Sequence, residues 1–399
     1  MQTLTAFEWL CVMVAESFDL DKKLFEERIQ WVKDNLWDLP TLAKTVKQQK
    51  ASLAIHSAIK TKKSNTWVML DASCSGIQIL SALTNCEVGA RSTGLIGEVV
   101  GDAYTLTTQA MNKRLGGQIE LPRPIVKDAV MTAVYGSKAT PKEIFANIHL
   151  GYETFMDACL DVAPRAFQLM PVLVNSYNPH QTQTWVLPDG FVCHIRATEK
   201  VEKRLYIEEL NSTVTVGLEV EASKDYSVEN AANITHSIDA HVVRNMFRRC
   251  NYNVEQVEQA KLLLELDDLA DPSADKPTAQ QQGLINLAYK TKFVDPVLLT
   301  CIDTRCIHLL DDWLKHKLLK LINTMLEHPS FQITTNHDAF GCLASNCNRM
   351  TFWYREILAE LSESNLLNAI WQDLGQAGQF TNTGKCIADD IRKSIYAIC

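Results

Sequence analysis

Two aspartates, Asp71 and Asp338, occupy the same unusual setting. Asp71 ends the short apolar run Thr66-Trp67-Val68-Met69-Leu70, and Asp338 follows Phe331-Gln332-Ile333-Thr334-Thr335, just after His337. Burying a carboxylate at the end of a strand costs several kcal/mol unless it is paired or ligates a metal. Two such acids from distant parts of a chain suit a pair of Mg²⁺ ions about 3.5–4 Å apart. One ion would lower the pKa of an attacking hydroxyl and the other would neutralise a leaving phosphate. Magnesium fits because it prefers carboxylates together with substrate phosphate oxygens. The plainer alternative is that each Asp caps a helix or turn, and spacing alone leaves both readings open.

A basic helix supplies counter-charge. Arg123 and Lys127 are four residues apart, so they share a helix face one turn apart. A planar guanidinium and a flexible ammonium together suit a triphosphate. Tyr135 lies two turns beyond Lys127, beside Gly136, where a ring can approach a nucleotide closely. An exposed basic edge with a core tyrosine explains the same residues without any ligand.

Several elements must position these groups. Residues 18–60 read as helical, broken at Pro40. Thr66–Leu70 reads as a buried strand leading into an apolar helix around Ile77–Leu83. Pro124 suits the first turn of a helix from Arg123 to Val134, and Gly136 ends it. The stretch Trp185–Val220 alternates as strands around a Pro188-Asp189-Gly190 turn, and another helix starts near Ser237. Residues 252–325 read as helices joined by the polar linker Asp271–Pro277, and Phe331–Thr335 opens a hairpin with Asp338 at its turn.

The chain has 399 residues and a net charge of −8, which argues against a general nucleic-acid coat. Any nucleic acid it handles must meet a local basic groove or a basic surface on another chain. No apolar run reaches the roughly 18–20 residues of a membrane span, and an intracellular protein is expected. The 12 cysteines include no Cys-x-x-Cys pair, so buried free thiols are expected. Cys301, Cys306, His308 and His316 share a helical-looking stretch, but their spacing matches no usual zinc pattern.

Taken together, these segments resemble the single-subunit RNA polymerases of T-odd phages and mitochondria. Asp71-Ala72-Ser73-Cys74-Ser75-Gly76-Ile77-Gln78 is similar to the family's first palm motif, and His337-Asp338-Ala339-Phe340-Gly341 to its second. Arg123, Lys127, Tyr135 and Gly136 fall in register with the fingers-helix motif, and Val130-Met131-Thr132-Ala133-Val134-Tyr135-Gly136-Ser137 resembles its end. Asn233-Ile234-Thr235-His236-Ser237-Ile238-Asp239 resembles the start of a palm helix, and Phe25–Ile29 a segment before the first palm motif.

The resemblance implies a mostly helical α+β, right-hand polymerase fold. Residues 1–86 and 237–399 would form the palm around an antiparallel sheet, with a helical insertion at 252–325, and residues 87–236 the fingers. It implies DNA-directed RNA synthesis from ribonucleoside triphosphates with two Mg²⁺ ions, on a DNA template, in the cytoplasm of an infected bacterial host. Asp71, Asp338 and the Ala72 carbonyl would hold metal. Arg123 and Lys127 would bind the triphosphate, with Lys127 protonating the leaving pyrophosphate. Tyr135, helped by His236, would select ribose, and Tyr104 and His337 would support the site. A short hydrophobic tail, Ile395–Cys399, would fold back towards the cleft.

Departures from the pattern are Ala72 for glycine, Ala339 for serine, Asp128 for a second basic residue and Gln30 for a lysine facing the triphosphate. Thumb, promoter-reading region and Asp-x-x-Gly-Arg template motif would precede Met1, so a second polypeptide carrying thumb and template-binding elements is expected, as in a split, two-chain phage enzyme. A DNA polymerase of the related fold would use the same acids and bases. It is disfavoured by His236-Ser237-Ile238-Asp239 and by Ala339 after the second acid. An inactive scaffold is disfavoured by the intact Asp71, Asp338, Lys127 and Tyr135.

Overall fold

The computed structural model describes residues 3–117, 119–178, 182–195, 198–221, 229–266, 276–381 and 384–399. Among the described residues helices dominate, interleaved with seven strands in three small antiparallel sheets. The strands are β1 (Trp67–Asp71), β2 (Gln183–Val186), β3 (Val192–Ile195), β4 (Thr198–Ile207), β5 (Ser212–Glu221), β6 (Thr334–Asn336) and β7 (Ala339–Leu343). The central sheet has the order β1-β7-β6, so its middle strand comes from the far end of the chain.

β1 forms as expected, but its burial alternates although its sequence is uniformly apolar up to Leu70: Val68 and Leu70 are fully buried, and Trp67 and Asp71 point outward. The chain then turns through Cys74, whose φ of 64° puts a non-glycine residue in the left-handed region. The helix Ser75–Leu83 follows, with every residue buried. Its Gln78 is satisfied in the core. The amide donates to the carbonyls of Thr93 at 3.0 Å and Ala397 at 2.8 Å, and Tyr354 Oη donates to Gln78 Oε1 at 2.7 Å. That one side chain ties the helix to the C-terminal tail and to the helix Cys347–Glu363. The latter packs on β7 and on the helices Ser75–Leu83, Glu229–Cys250 and Ala388–Lys393.

Four local expectations need correction. Pro40 does not break a helix; it sits in the first turn of the short helix Leu39–Leu42, where its missing N–H costs nothing. The helix expected near Ser237 begins at Glu229, because Asn230 is buried and donates to Ser176 and Gln183. Phe331–Ile333 are not in a strand: the Phe331 N–H donates to the Cys250 carbonyl at 2.7 Å instead, and β6 starts only at Thr334. Cys301, Cys306 and His308 lie on turns and short 3₁₀ segments, and only His316 is on a helix, Asp312–Leu326. All twelve cysteines are free, most of them buried. Among the described residues no three metal-ligating side chains converge there or elsewhere.

Within 252–325 the helices Val254–Glu265, Ala279–Thr291 and Asp312–Leu326 form as expected, whereas Asp271–Asp275 of the linker fall outside the described residues. This block buttresses the Glu229 helix. Fully buried Asp295 accepts from His241 Nε2 at 3.0 Å, Asn245 Nδ2 at 2.5 Å and Arg248 Nη1 at 3.2 Å. Asp189, in the β2–β3 turn, accepts from Arg244 Nε at 2.5 Å and Arg248 Nη1 at 3.0 Å. Among the described residues no helix is long and apolar enough to cross a membrane.

Candidate active site

The two acids meet through strand pairing. β1 runs antiparallel to β7 with Asp71 opposite Ala339, so Asp338 stands one residue past the end of the ladder, at the tip of the β6–β7 turn. His337 forms the other half of that two-residue turn, with φ of 56°, and is exposed. Asp71 and Asp338 line one cleft of about 410 Å³, together with Ala72, Tyr104, Arg123, Lys127 and Cys399. Burial, and then the neighbouring Asp338 carboxylate, push the Asp71 carboxyl up to about 6.

A third acid lies near Asp338 without lining the cleft. Asp239, one turn along the Glu229 helix from His236, is pushed up to about 6 by burial and then by Asp338, against a hydrogen bond from Ser75. Sequence reading named Asp239 as part of a motif without giving it a role. The signal that could have found it is its spacing of three residues from His236, which puts both on one helix face.

The basic side is set by the helix Arg123–Ala133, with Pro124 in its first turn. Arg123 Cζ lies 5.5 Å and Lys127 Nζ 5.6 Å from the centroid of the Tyr104 ring. The Tyr104 hydroxyl faces the Cys74 thiol, and burial pushes the Tyr104 pKa far up, so it stays neutral. Arg123 also forms an ion pair with Asp102, which sequence reading missed. Gly136, at φ of 89°, ends the segment as expected.

Tyr135 stacks on His236, with centroids 4.2 Å apart and 12° between planes. The Tyr135 hydroxyl lies so close to Gly76 that a Cβ there would stand 3.3 Å from it. The tail reaches the same place. Cys399 N donates to the Asp71 carbonyl at 3.1 Å, Ile398 bridges Ala72, and Tyr396, Ala397 and Ile398 are buried. The Ala72 carbonyl accepts from Cys74 N at 3.0 Å, which leaves one lone pair for a ligand. Gln30 does not line the cleft and bonds Asp34 at 2.7 Å instead. Lys22 and Lys47 do line it.

Residues 41–260, more than half of the 399, match the family model of DNA-dependent RNA polymerase. This chain belongs to that family. The matched segment carries Asp71, Tyr104, Arg123, Lys127, Tyr135 and His236, whereas Asp338 lies beyond it and reaches the site through β7. Similarity to a DNA-directed RNA polymerase of Pseudomonas phage phiKMV is 26% identity over 210 residues, covering 42% of this chain. The chain spans about a quarter (24%) of the length of that relative.

Proposed function

We propose that this chain carries the catalytic centre of a DNA-directed RNA polymerase, joining ribonucleoside triphosphates to an RNA 3′ end on a DNA template. One observation carries the reading: the β1–β7 register brings Asp71 and Asp338 into the cleft lined by Arg123 and Lys127. In this reading the central sheet with the helices packed on it serves as palm, and the helices and ribbons between residues 87 and 236 serve as fingers.

The donor set fits Mg²⁺. Burial and the Asp338 carboxylate raise the cost of ionising Asp71, and a divalent cation held by the two acids and the Ala72 carbonyl would relieve it. Two bound Mg²⁺ ions would supply activation of the 3′ hydroxyl and neutralisation of the leaving pyrophosphate. The chain's own residues do the rest. Arg123 and Lys127 hold the triphosphate in line, and Lys127 gives a proton to the departing pyrophosphate oxygen. Lys127 suits this because, among the described residues, no carboxylate lies within ion-pair distance of it. Tyr135, braced on His236, presents its hydroxyl to the ribose 2′ hydroxyl. The tail fixes the Asp71 backbone through Cys399.

Grip on the duplex needs more positive charge than this chain offers. Its net charge is −8, and in the cleft Lys22 pairs with Asp21, Lys47 with Glu16 and Arg123 with Asp102. We therefore place thumb and template-binding surfaces on a second polypeptide, with the assembly working in the cytoplasm of an infected bacterium. The test is primer extension on a DNA template by the purified assembly, comparing ribo- and deoxyribonucleotides. Mg²⁺-dependent addition of ribonucleotides is expected. Preferential addition of deoxyribonucleotides would move the enzyme to the DNA polymerases, and no extension would remove the activity.

A further inference from the structure

The Arg123 guanidinium is engaged before any nucleotide arrives. Its Nε donates to Asp102 Oδ2 at 3.0 Å and its Nη2 to Asp102 Oδ1 at 3.1 Å, a side-on bidentate pair. Nε also reaches Thr105 Oγ1 at 3.0 Å. Nη1 makes no hydrogen bond among the described residues, so one edge of the fork is left for a ligand. Asp102 is itself fixed, because it caps the helix Ala103–Arg114: Oδ1 accepts from Thr105 N at 3.1 Å and Oδ2 from Thr105 Oγ1 at 2.7 Å. Its side chain is 15% exposed against 36% for Arg123, so the acid is the anchored partner. Close packing behind it adds rigidity: a Cβ on Gly101 would fall 1.9 Å from Gly94 N.

We propose that Asp102 is a positioning residue, holding Arg123 side-on so that its Nη1 edge is presented to the triphosphate of the incoming nucleotide. The proposal rests on the polymerase reading above. A free arginine has rotamer entropy to lose on binding, and the bidentate pair removes much of that loss beforehand. The same carboxylate has an opposing effect, since it cancels charge that would attract any polyphosphate. The two effects have different signatures. Orientation matters for a nucleotide that must be aligned for attack, whereas net charge acts equally on free tripolyphosphate.

Asp102→Asn separates them. Asparagine is as good a helix cap as aspartate, so the helix should be kept while the ion pair is lost. The experiment measures kcat/KM for ATP on a primed template, and inhibition by inorganic tripolyphosphate, using the purified assembly. Expected for Asp102→Asn is a roughly tenfold fall in kcat/KM, carried by KM, with tripolyphosphate inhibition unchanged or stronger and an unchanged melting temperature. Asp102→Glu, which can re-form the pair, should recover most of the loss. If kcat/KM stays at the wild-type value or rises along with tripolyphosphate affinity, Asp102 acts only through charge and the proposal is overturned. If kcat/KM, tripolyphosphate affinity and melting temperature fall together, its role is only the cap, which also overturns it. Absence of ATP incorporation by the wild type would instead overturn the polymerase reading.

Discussion

Tyr135 lies flat on His236, at 4.2 Å and 12° between planes, although one sits in the turn after the Arg123 helix and the other in the Glu229 helix, about a hundred residues on. The stack fixes the tyrosine ring while Ser75 and Gly76 confine its hydroxyl. Tyr135→Phe should therefore keep RNA synthesis and lose about tenfold or more of its discrimination against deoxyribonucleotides, because a site that hydrogen-bonds a hydroxyl rejects analogues lacking it. The ratio of specificity constants for the two sugars is the readout. His236→Ala should lower the same ratio by freeing the ring.

Asp71→Asn and Asp338→Asn should each abolish incorporation, to about 10³-fold below wild type or lower, while the chain stays folded. Asp71→Asn has a second consequence, seen in thermal melts without metal. Its carboxyl titrates near 6 in the folded chain, above the value of about 4 in an unfolded one, so ionisation opposes folding at neutral pH. The variant should melt higher at pH 7–8, by about 1 kcal/mol after allowing for the solvent in the cleft. The gain should shrink as pH falls below 6 and vanish near pH 4. Added Mg²⁺ should stabilise wild type and not the variant.

Asp189 runs the other way. Burial pushes its carboxyl up, but hydrogen bonds from Arg244 and Arg248 and nearby positive charge outweigh this and hold it far below the usual carboxylate range. Its side chain is 1% exposed, so Asp189→Asn should destabilise the chain by about 3 kcal/mol at pH 7. A depressed folded pKa gives stability that is complete above about pH 4 and fades below it. The penalty in urea melts should therefore shrink as pH drops from 4 towards 2.

Two glycines offer a contrast in backbone tolerance. An added Cβ at Gly101 would overlap Gly94 N at 1.9 Å and Thr93 C at 2.3 Å, both backbone atoms. At Gly341 it would meet Met69 Sδ at 2.2 Å, a side-chain atom that can swing away. Gly101→Ala should cost more than about 3 kcal/mol or prevent folding, and Gly341→Ala about 1–2 kcal/mol, as read from urea midpoints.

Much of the site could be read from local sequence because its parts are local. The run ending at Asp71 is short, apolar and β-favouring, and the Arg123 helix has a proline at its start and a glycine at its end. What escaped depends on partners far along the chain. Asp102 looks like an ordinary helix cap until Arg123 folds against it, and Asp239 is one polar residue among several until Asp338 arrives. The early start of the Glu229 helix and the loss of strand at Phe331 follow the same rule. In each case a distant hydrogen-bond partner outweighs local propensity.

The pairing of β1 with β7 joins residues 67–71 to residues 339–343. Closing so long a loop comes late in folding, after the helices between the strands have formed. A ribosome that stalls midway, or a protease that cuts between the strands and separates the pieces, leaves fragments carrying one acid or the other and never both. In the proposed reading, damaged copies of the chain would therefore be silent rather than error-prone, since the two acids meet only in molecules whose whole intervening length has folded.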